Sequence, residues 1–576
     1  MRDGRNSGNA YLGALRGLRG TFVLVALFSA AINVLMLTGP VYMLQVYDRV
    51  LSSGSGATLL GLFGIVIVLY GFLGVYDFLR ARLLSRAAIR LDTEVGEEAF
   101  RFSLRAGLIG DRTRIDPRAQ PVRDLDLVRG FMSSPAITGF FDLPWIPLFL
   151  GLIFLIHPWL GWLTLAGAGV VTGAALLNQF LVQGSIHDAM TIEGAERALL
   201  EQARGESETL HALGMRERMV ARWREMHDTA LATGQTGSDR SEGFSAFSKS
   251  FRLLLQSSLL TLGALLALRQ EISPGMIIAT SIIAGRALAP VDQVIGQWRA
   301  IGRAREAHHR LSEMFREAPA DKPRVDLPAP EGHLQVRSLT RLVPAGPEAD
   351  ARRPRILDRV SFALSPGDGL GVIGNSAAGK STLARLLVGV WTADAGEVRL
   401  DGATLDQWTP AALGRHIGYL PQSVQMLPGS VGQNIARFDP EARDRDIIEA
   451  ARIAGVHEMI LGLSDGYATH MDRTVNPFSV GQVQRLGLAR AVYGAPRLIV
   501  LDEPNSNLDA DGDEALTRAI RRMRDLGSVV VVMAHRPSAI AAVNKVLLLH
   551  QGRVAKFGDR DEVLDTKPRP VAVAAQ

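Results

Sequence analysis

The first half of the chain carries six long apolar runs, at about residues 21–44, 57–78, 136–156, 159–178, 251–268 and 275–291. A run of about 18 or more apolar residues reads as a helix across a bilayer, because a helix satisfies its own backbone hydrogen bonds in hydrocarbon. A single run could be a helix inside a soluble core. Six with consistent flanking charge argue for membrane spans. The first follows Arg2, Arg5, Arg16 and Arg19, as a secretory signal would. It is too long for a signal's apolar region, no small-residue cleavage site follows it, and a second run comes at once.

Loop charge gives an orientation. The turns after the first, third and fifth runs carry Arg49, nothing and Arg269. The segments at about 79–135 and 179–250 are long and rich in arginine, with Arg80, Arg82, Arg86 and Arg90 directly after the second run. The excess of cationic side chains in cytoplasmic loops places both termini and these segments in the cytoplasm. Their helical patterning predicts helices that run on well past the bilayer. Gly39-Pro40 predicts a kink in the first span. Asp142 and Arg286 are ionisable groups near or in apolar runs, where insertion costs about 2.5–3.5 kcal/mol each. They mark either a translocation path or a structural or interfacial charge.

Between 316 and 332, Pro319, Pro323, Pro328 and Pro330 alternate with charges and read as a linker. The expected domains are an N-terminal cytoplasmic segment (1–20), a transmembrane domain (21–315), this linker, a second domain (333–565) and a disordered tail (566–576). The chain has no cysteine, which excludes disulfides, zinc–thiolate sites and iron–sulfur clusters. The net charge of +5 is absorbed by the loop bias. No basic patch with interleaved aromatics points to nucleic acid.

In the second domain, Gly374, Asn375, Ser376, Ala377, Ala378, Gly379, Lys380, Ser381 and Thr382 read as G-x-x-x-x-G-K-[ST], a phosphate-gripping loop. An apolar run precedes it and helical periodicity follows, so a strand–loop–helix unit is expected. Backbone N–H groups and the helix N-terminus would face phosphate oxygens. Lys380 would bridge the β- and γ-phosphates, and the Ser381 hydroxyl would hold Mg²⁺. Further on, Leu498-Ile-Val-Leu-Asp502-Glu503 is an apolar strand ending in two carboxylates. Asp502 fits a residue that supports Mg²⁺. Glu503 is placed to polarise an attacking water.

Between these lies Phe478-Ser479-Val480-Gly481-Gln482, which resembles the L-S-G-G-Q signature of the ATP-binding cassette family. Gln422 in Tyr419-Leu-Pro-Gln422 matches the family's Q-loop, Ser506-Asn507-Leu508-Asp509 its D-loop, and His535 its switch histidine, all in family order. The resemblance implies ATP and Mg²⁺, and an ATPase in which two cassettes face head to tail. Ser479, Gly481, Gln482 and Asp509 would then complete a nucleotide site begun by the partner's P-loop. Gln422 would sense the γ-phosphate and the metal, and His535 would hold phosphate and water in register. With one cassette per chain, a homodimer is expected.

Two departures stand out. Val480 replaces the first signature glycine and Phe478 the leucine, which suggests an active but slower ATPase. No aromatic residue lies between Phe315 and Phe362, where many members stack one on adenine; Val343-Pro344 is the candidate apolar substitute.

Six spans followed by one cassette resemble an exporter half-transporter. The implied fold is a six-helix membrane domain of the type I ABC exporter kind, fused to an α/β P-loop NTPase cassette. Phe141-Asp-Leu-Pro-Trp145, Gly285-Arg-Ala-Leu-Ala-Pro-Val-Asp-Gln293 and Leu501-Asp-Glu-Pro-Asn-Ser-Asn-Leu-Asp509 look like the protease- and RTX-protein-exporting branch of type I secretion ATPases. That branch implies an inner-membrane protein of a Gram-negative cell. It also implies a periplasmic adaptor, an outer-membrane channel and a secreted protein with an uncleaved C-terminal signal. A lipid or drug exporter on the same scaffold is the alternative. Membrane spans argue against a DNA-repair or ribosomal cassette ATPase, and the fused cassette against an importer. Some members begin with a peptidase-like domain; with the first span starting near residue 21, none is expected here.

Overall fold

The computed structural model describes residues 10–106, 120–317, 327–343, 353–471, 478–534 and 537–564. The chain divides into two compact units, one built from the residues up to 317 and the other from those after 327. The expected C-terminal tail, 566–576, lies outside the described residues.

In the first unit, six helices among the described residues are long and apolar enough to cross a membrane: Ala10–Ser53, which contains breaks, Gly56–Arg105, Pro135–Ile156, Pro158–Asn178, Arg216–Leu268 and Pro274–Gly296. The second, fourth and fifth belong to continuous helices of 51, 48 and 53 residues. At about 1.5 Å per residue each is roughly 70–80 Å long, more than twice the hydrocarbon thickness of about 30 Å. The helices therefore continue far outside the apolar layer, as their patterning predicts.

The breaks have local causes. Helix Arg19–Leu35 stops at Met36-Leu37 and restarts as Thr38–Gln45. Pro40 lacks an N–H and its ring crowds the carbonyl four residues earlier, that of Met36, so the interruption falls one turn before the proline. A turn of π-helix, Val46–Val50, follows, and Gly54 closes the segment with left-handed backbone (φ 65°). The third and fourth helices part at His157, whose ring caps Trp159 N–H beside Pro158. The sixth begins where the Asp48 carboxylate accepts from Gly275 N–H (2.8 Å) and from the Ser273 hydroxyl. A Cβ on Gly275 would lie 2.7 Å from Asp48 Oδ1, so only glycine allows this cap.

Asp142 is buried, and its partner is Arg80 of the second helix. The guanidinium donates to both carboxylate oxygens (3.0 and 3.2 Å) and to Ser29 Oγ (3.0 Å), and Asn33 Nδ2 adds a bond to Asp142 Oδ1 (2.9 Å). A second carboxylate, Asp77, takes the other guanidinium nitrogen at 2.8 Å. Of the two readings left open by the sequence, the structural pair holds for Asp142. It ties the first three helices together. Arg286 is exposed on the sixth helix.

Outside the apolar runs, helix Trp298–Glu317 packs on Ala10–Gly17 and Pro121–Met132. Arg310 grips the buried Asp124 through two bonds (3.0 and 2.6 Å), and Tyr11 Oη lies 2.7 Å from His308 Nδ1. This helix reaches Glu317, so it enters the stretch that composition assigns to the linker.

The second unit has two main sheets. Strands β1 (Leu334–Leu342), β2 (Arg355–Leu364), β4 (Ala395–Leu400) and β5 (Ala403–Thr404) form an antiparallel sheet in the order β2-β1-β4-β5. Strands β3 (Gly369–Ile373), β6 (Ile417–Leu420), β9 (Leu498–Asp502), β10 (Val529–Met533), β11 (Lys545–His550) and β12 (Arg553–Asp559) form the other, in the order β12-β11-β3-β10-β9-β6. All its pairings are parallel except β11–β12. A small antiparallel pair, β7 (Gly429–Ser430) and β8 (His470–Met471), stands apart. Every residue of β9 and β10 is buried. Continuous apolar strands of this kind belong to a parallel sheet covered on both faces.

The Arg80–Asp142 pair makes a stability prediction. Asp142→Ala leaves the guanidinium with Asp77 as its one carboxylate and Ser29 Oγ as a neutral acceptor and is expected to cost about 3–5 kcal/mol, whereas Arg80→Met with Asp142→Leu should recover most of that loss. Thermal unfolding of the purified proteins in one detergent checks it. Equal melting of the wild type and the single variant would rule the pair out as a stabilising tie.

Candidate nucleotide site

Five parallel strands end on one edge of the six-stranded sheet, and four of them feed loops that carry the candidate residues. β3 runs into the 374–382 loop, β6 into Pro421-Gln422, β9 into Glu503, and β10 into Ala534. Ligands of open α/β sheets sit at this carboxyl edge, where strand order reverses. Met533 pairs with Asp502, so β10 stops beside the two carboxylates, two residues before His535. His535 itself lies outside the described residues.

The loop from Gly374 to Gly379 leads into helix Lys380–Leu387, with Ser381 and Thr382 in its first turn. Its backbone is pressed against neighbours on two sides. A Cβ on Gly374 would strike the Leu549 carbonyl, and one on Gly379 (φ 99°) would lie 2.7 Å from Leu357 Cδ2. Asn375, Ser376 and Ala377 are exposed, while Ala378 and Gly379 are buried. Gly552 N–H braces the loop by donating to Ala378 O (3.2 Å). Between the glycines, Ala377 holds a left-handed conformation (φ 63°). The curl that the sequence pattern attributes to glycine is here made partly by an L-residue, at about 1–2 kcal/mol.

Lys380 is buried and folds back across the loop, donating from Nζ to Gly374 O (2.7 Å) and Asn375 O (3.1 Å). Burial pulls its ammonium below the usual lysine range, while Glu503 and Asp502 act against that shift. Ser381 Oγ donates to Asp502 Oδ1 (3.1 Å). Asp502 is buried, and burial pushes its carboxyl upward against the Ser381 hydrogen bond. Gln422 Nε2 reaches Glu503 Oε2 at 3.0 Å. Glu503 is left-handed (φ 52°), and its N–H donates to Met533 O (3.1 Å). The structure thus brings together the P-loop residues with Asp502, and Glu503 with Gln422.

The fit to a magnesium nucleotide is good. The loop presents exposed Asn375, Ser376 and Ala377 ahead of a helix N-terminus, where backbone N–H groups can meet phosphate. The Ser381 hydroxyl and the desolvated Asp502 carboxylate are hard oxygen donors, as Mg²⁺ requires. Among the described residues no cluster of three or more His, Asp or Glu side chains could hold a metal ion.

The signature residues form a separate group. Ser479 caps helix Val480–Val492 through its Oγ and Gln482 N–H, and Gln482 Oε1 returns a bond to Ser479 N–H (2.8 Å). Among the described residues no hydrogen bond links 479–482 to the P-loop. Phe478 is buried in the core that packs around this helix, which explains an aromatic in place of leucine. Val480 is 67% exposed at the helix start, so its branch points away from the packed backbone. Gly481 has a constraint that spacing could not reveal: a Cβ there would lie 2.7 Å from Asn507 O. Asp509 caps its own helix, Ala510–Asp525, through Gly512 N–H (2.8 Å). At the candidate base site Val343 is exposed, and Pro344 lies outside the described residues.

Residues 357–506 match the ABC transporter family, and residues 22–288 match the ABC transporter transmembrane region. The chain is 42% identical to the type I secretion system ATP-binding protein PrsD of Rhizobium meliloti (strain 1021), over 100% of this chain and 97% of that one. It is 27% identical to the exotoxin translocation ATP-binding protein PaxB of Pasteurella aerogenes, over 97% of this chain and 78% of the relative. A solved bacterial Atm1-family ABC exporter with ATP bound shares the fold, with a TM-score of 0.79 at 20% identity over 95% of this chain and 96% of the other. The chain belongs to the ABC transporter family, among the type I secretion ATP-binding proteins. It is a multi-pass membrane protein that binds ATP and acts as an ATPase.

Ala377 yields a test of the loop. Ala377→Gly removes the left-handed penalty and should keep ATPase activity within about twofold, whereas Ala377→Val places a β-branched residue at positive φ and should lower it at least about tenfold. Steady-state phosphate release from the purified chain distinguishes them. An unimpaired valine variant would show that the loop does not hold this backbone when it works.

Proposed function

We propose that two copies of this chain form the inner-membrane motor of a type I secretion system, which hydrolyses ATP to export an unfolded or partly folded protein of protease or RTX type with a C-terminal signal. The observation that carries this reading is the full-length 42% identity to a type I secretion ATP-binding protein. The scaffold alone is shared with lipid and drug exporters. The arginine-rich long segments support a cytoplasmic cassette and cytoplasmic termini. A periplasmic adaptor and an outer-membrane channel would complete the export path.

In this reading, Gly374 to Thr382 hold the phosphates through loop N–H groups, the start of helix Lys380–Leu387 and the Lys380 ammonium. Ser381, Asp502 and Gln422 hold Mg²⁺, which when bound supplies charge neutralisation at the phosphates. Glu503 accepts a hydrogen bond from the attacking water, and Gln422, whose Nε2 donates to Glu503 Oε2 at 3.0 Å, orients that carboxylate. His535 keeps phosphate and water aligned. Ser479, Gly481, Gln482 and Asp509 close the site from the second copy. What supports a two-copy site is that within one chain these residues bond to each other or to their own helices.

Two outcomes follow. Glu503→Gln should bind ATP yet turn over at least about 10²-fold more slowly, because general-base assistance is worth about 10²–10⁴. Nucleotide binding and phosphate release on the same preparation measure both, and wild-type turnover would remove Glu503 from the role. Deleting the chain from its cell should deplete one or a few large proteins from the culture medium. Unchanged secreted proteins with altered lipid or drug sensitivity would favour the exporter alternative.

A further inference from the structure

The helix that begins at the signature carries a buried amide that the nucleotide chemistry does not use. Gln484 is 3% exposed, on a helix whose Val483, Leu486 and Leu488 are also buried. Its Nε2 donates to Pro504 O (2.8 Å) and Glu503 O (3.3 Å), and its Oε1 accepts from Asn507 Nδ2 (3.0 Å). One amide therefore holds three points of the turn that leaves β9.

That turn needs holding. Glu503 is an L-residue in left-handed backbone, a conformation that persists only where its surroundings over-determine it. Met533 O fixes its N–H and Gln484 fixes its carbonyl. The Asn507 carbonyl in turn occupies the space that a Cβ on Gly481 would need. Signature helix, 503–507 turn and D-loop are thus fastened by one amide and one close backbone contact.

We propose that Gln484 is a positioning residue for ATP hydrolysis: it sets the backbone of Glu503 and, through Asn507, joins that backbone to the signature end of its helix. The proposal rests on the two-copy reading above. There the signature end serves the partner's nucleotide while Glu503 serves its own, so Gln484 links the two sites through a single cassette.

The test measures ATPase rate against ATP concentration for the purified full-length chain in lipid nanodiscs. Gln484→Met keeps the volume and removes all three bonds. Gln484→Glu keeps the shape but turns an acceptor toward two carbonyls. Both should lower kcat at least about tenfold with KM for ATP within about threefold, the pattern of an interaction needed in the transition state. Asn507→Ala removes an exposed partner and should lower kcat about threefold, and the double variant Gln484→Met/Asn507→Ala should be no slower than Gln484→Met alone, as for residues acting in one network. Three results would overturn the proposal: kcat within about twofold of wild type in Gln484→Met, a loss confined to KM, or losses that multiply in the double variant. If Gln484→Met does not fold, an unchanged kcat in Asn507→Ala overturns it. Glu503→Gln run alongside separates the two levels. If that variant turns over normally, the role given to Glu503 in the underlying reading fails; if it is inactive while Gln484→Met is normal, only this inference fails.

Discussion

The parallel pairing of β3, β10, β9 and β6 is the constraint on which the cassette's chemistry depends. Parallel strands finish on the same edge, so one hydrogen-bonded register aligns four loops that are far apart in sequence. Asp502 comes level with Met533 because β9 and β10 pair over their full lengths. A slip of one residue in such a ladder would turn every side chain to the opposite face. The four valines of β10 and the leucines of β9 resist that slip, since both faces of each strand are packed. The oxygen donors around Ser381 are therefore placed by apolar burial elsewhere.

Against that edge, the residues nearest the chemistry are strained or buried ionisable groups. Ala377 and Glu503 adopt left-handed backbone, Lys380 is buried with its ammonium turned onto loop carbonyls, and Asp502 is buried beside it. These features share one logic. A side chain already desolvated and held gives up less on meeting a phosphate than one that must first shed water and be ordered.

Much of this was legible beforehand. The six apolar runs set the helix count, because length and hydropathy are local properties of the sequence. The order of P-loop, Gln422, signature, Asp502-Glu503 and D-loop was legible for the same reason: each is a short run of neighbours. What was hidden depends on partners far away in the chain. Nothing in the spacing joins Asp142 to Arg80 or Asp48 to Gly275. The role of Gln484 was equally invisible, because a polar residue in a helix declares itself only through what it touches. Ala377 was concealed differently: the motif tolerates any residue at that position, and only the backbone angle reveals the cost. His535 and Pro344 lie outside the described residues.

The three long helices also have a mechanical meaning. Each is a single rod of about 50 residues, so roughly 40–50 Å of it lies beyond a hydrocarbon layer of about 30 Å. A rod of that reach converts angle into distance: a tilt of about 5° within the membrane sweeps its far end through about 4 Å. Rearrangements too small to break the packing around Arg80 and Asp142 would still arrive at the helix ends as displacements larger than a hydrogen bond. Leverage of this kind works in both directions, and its gain is fixed by helix length.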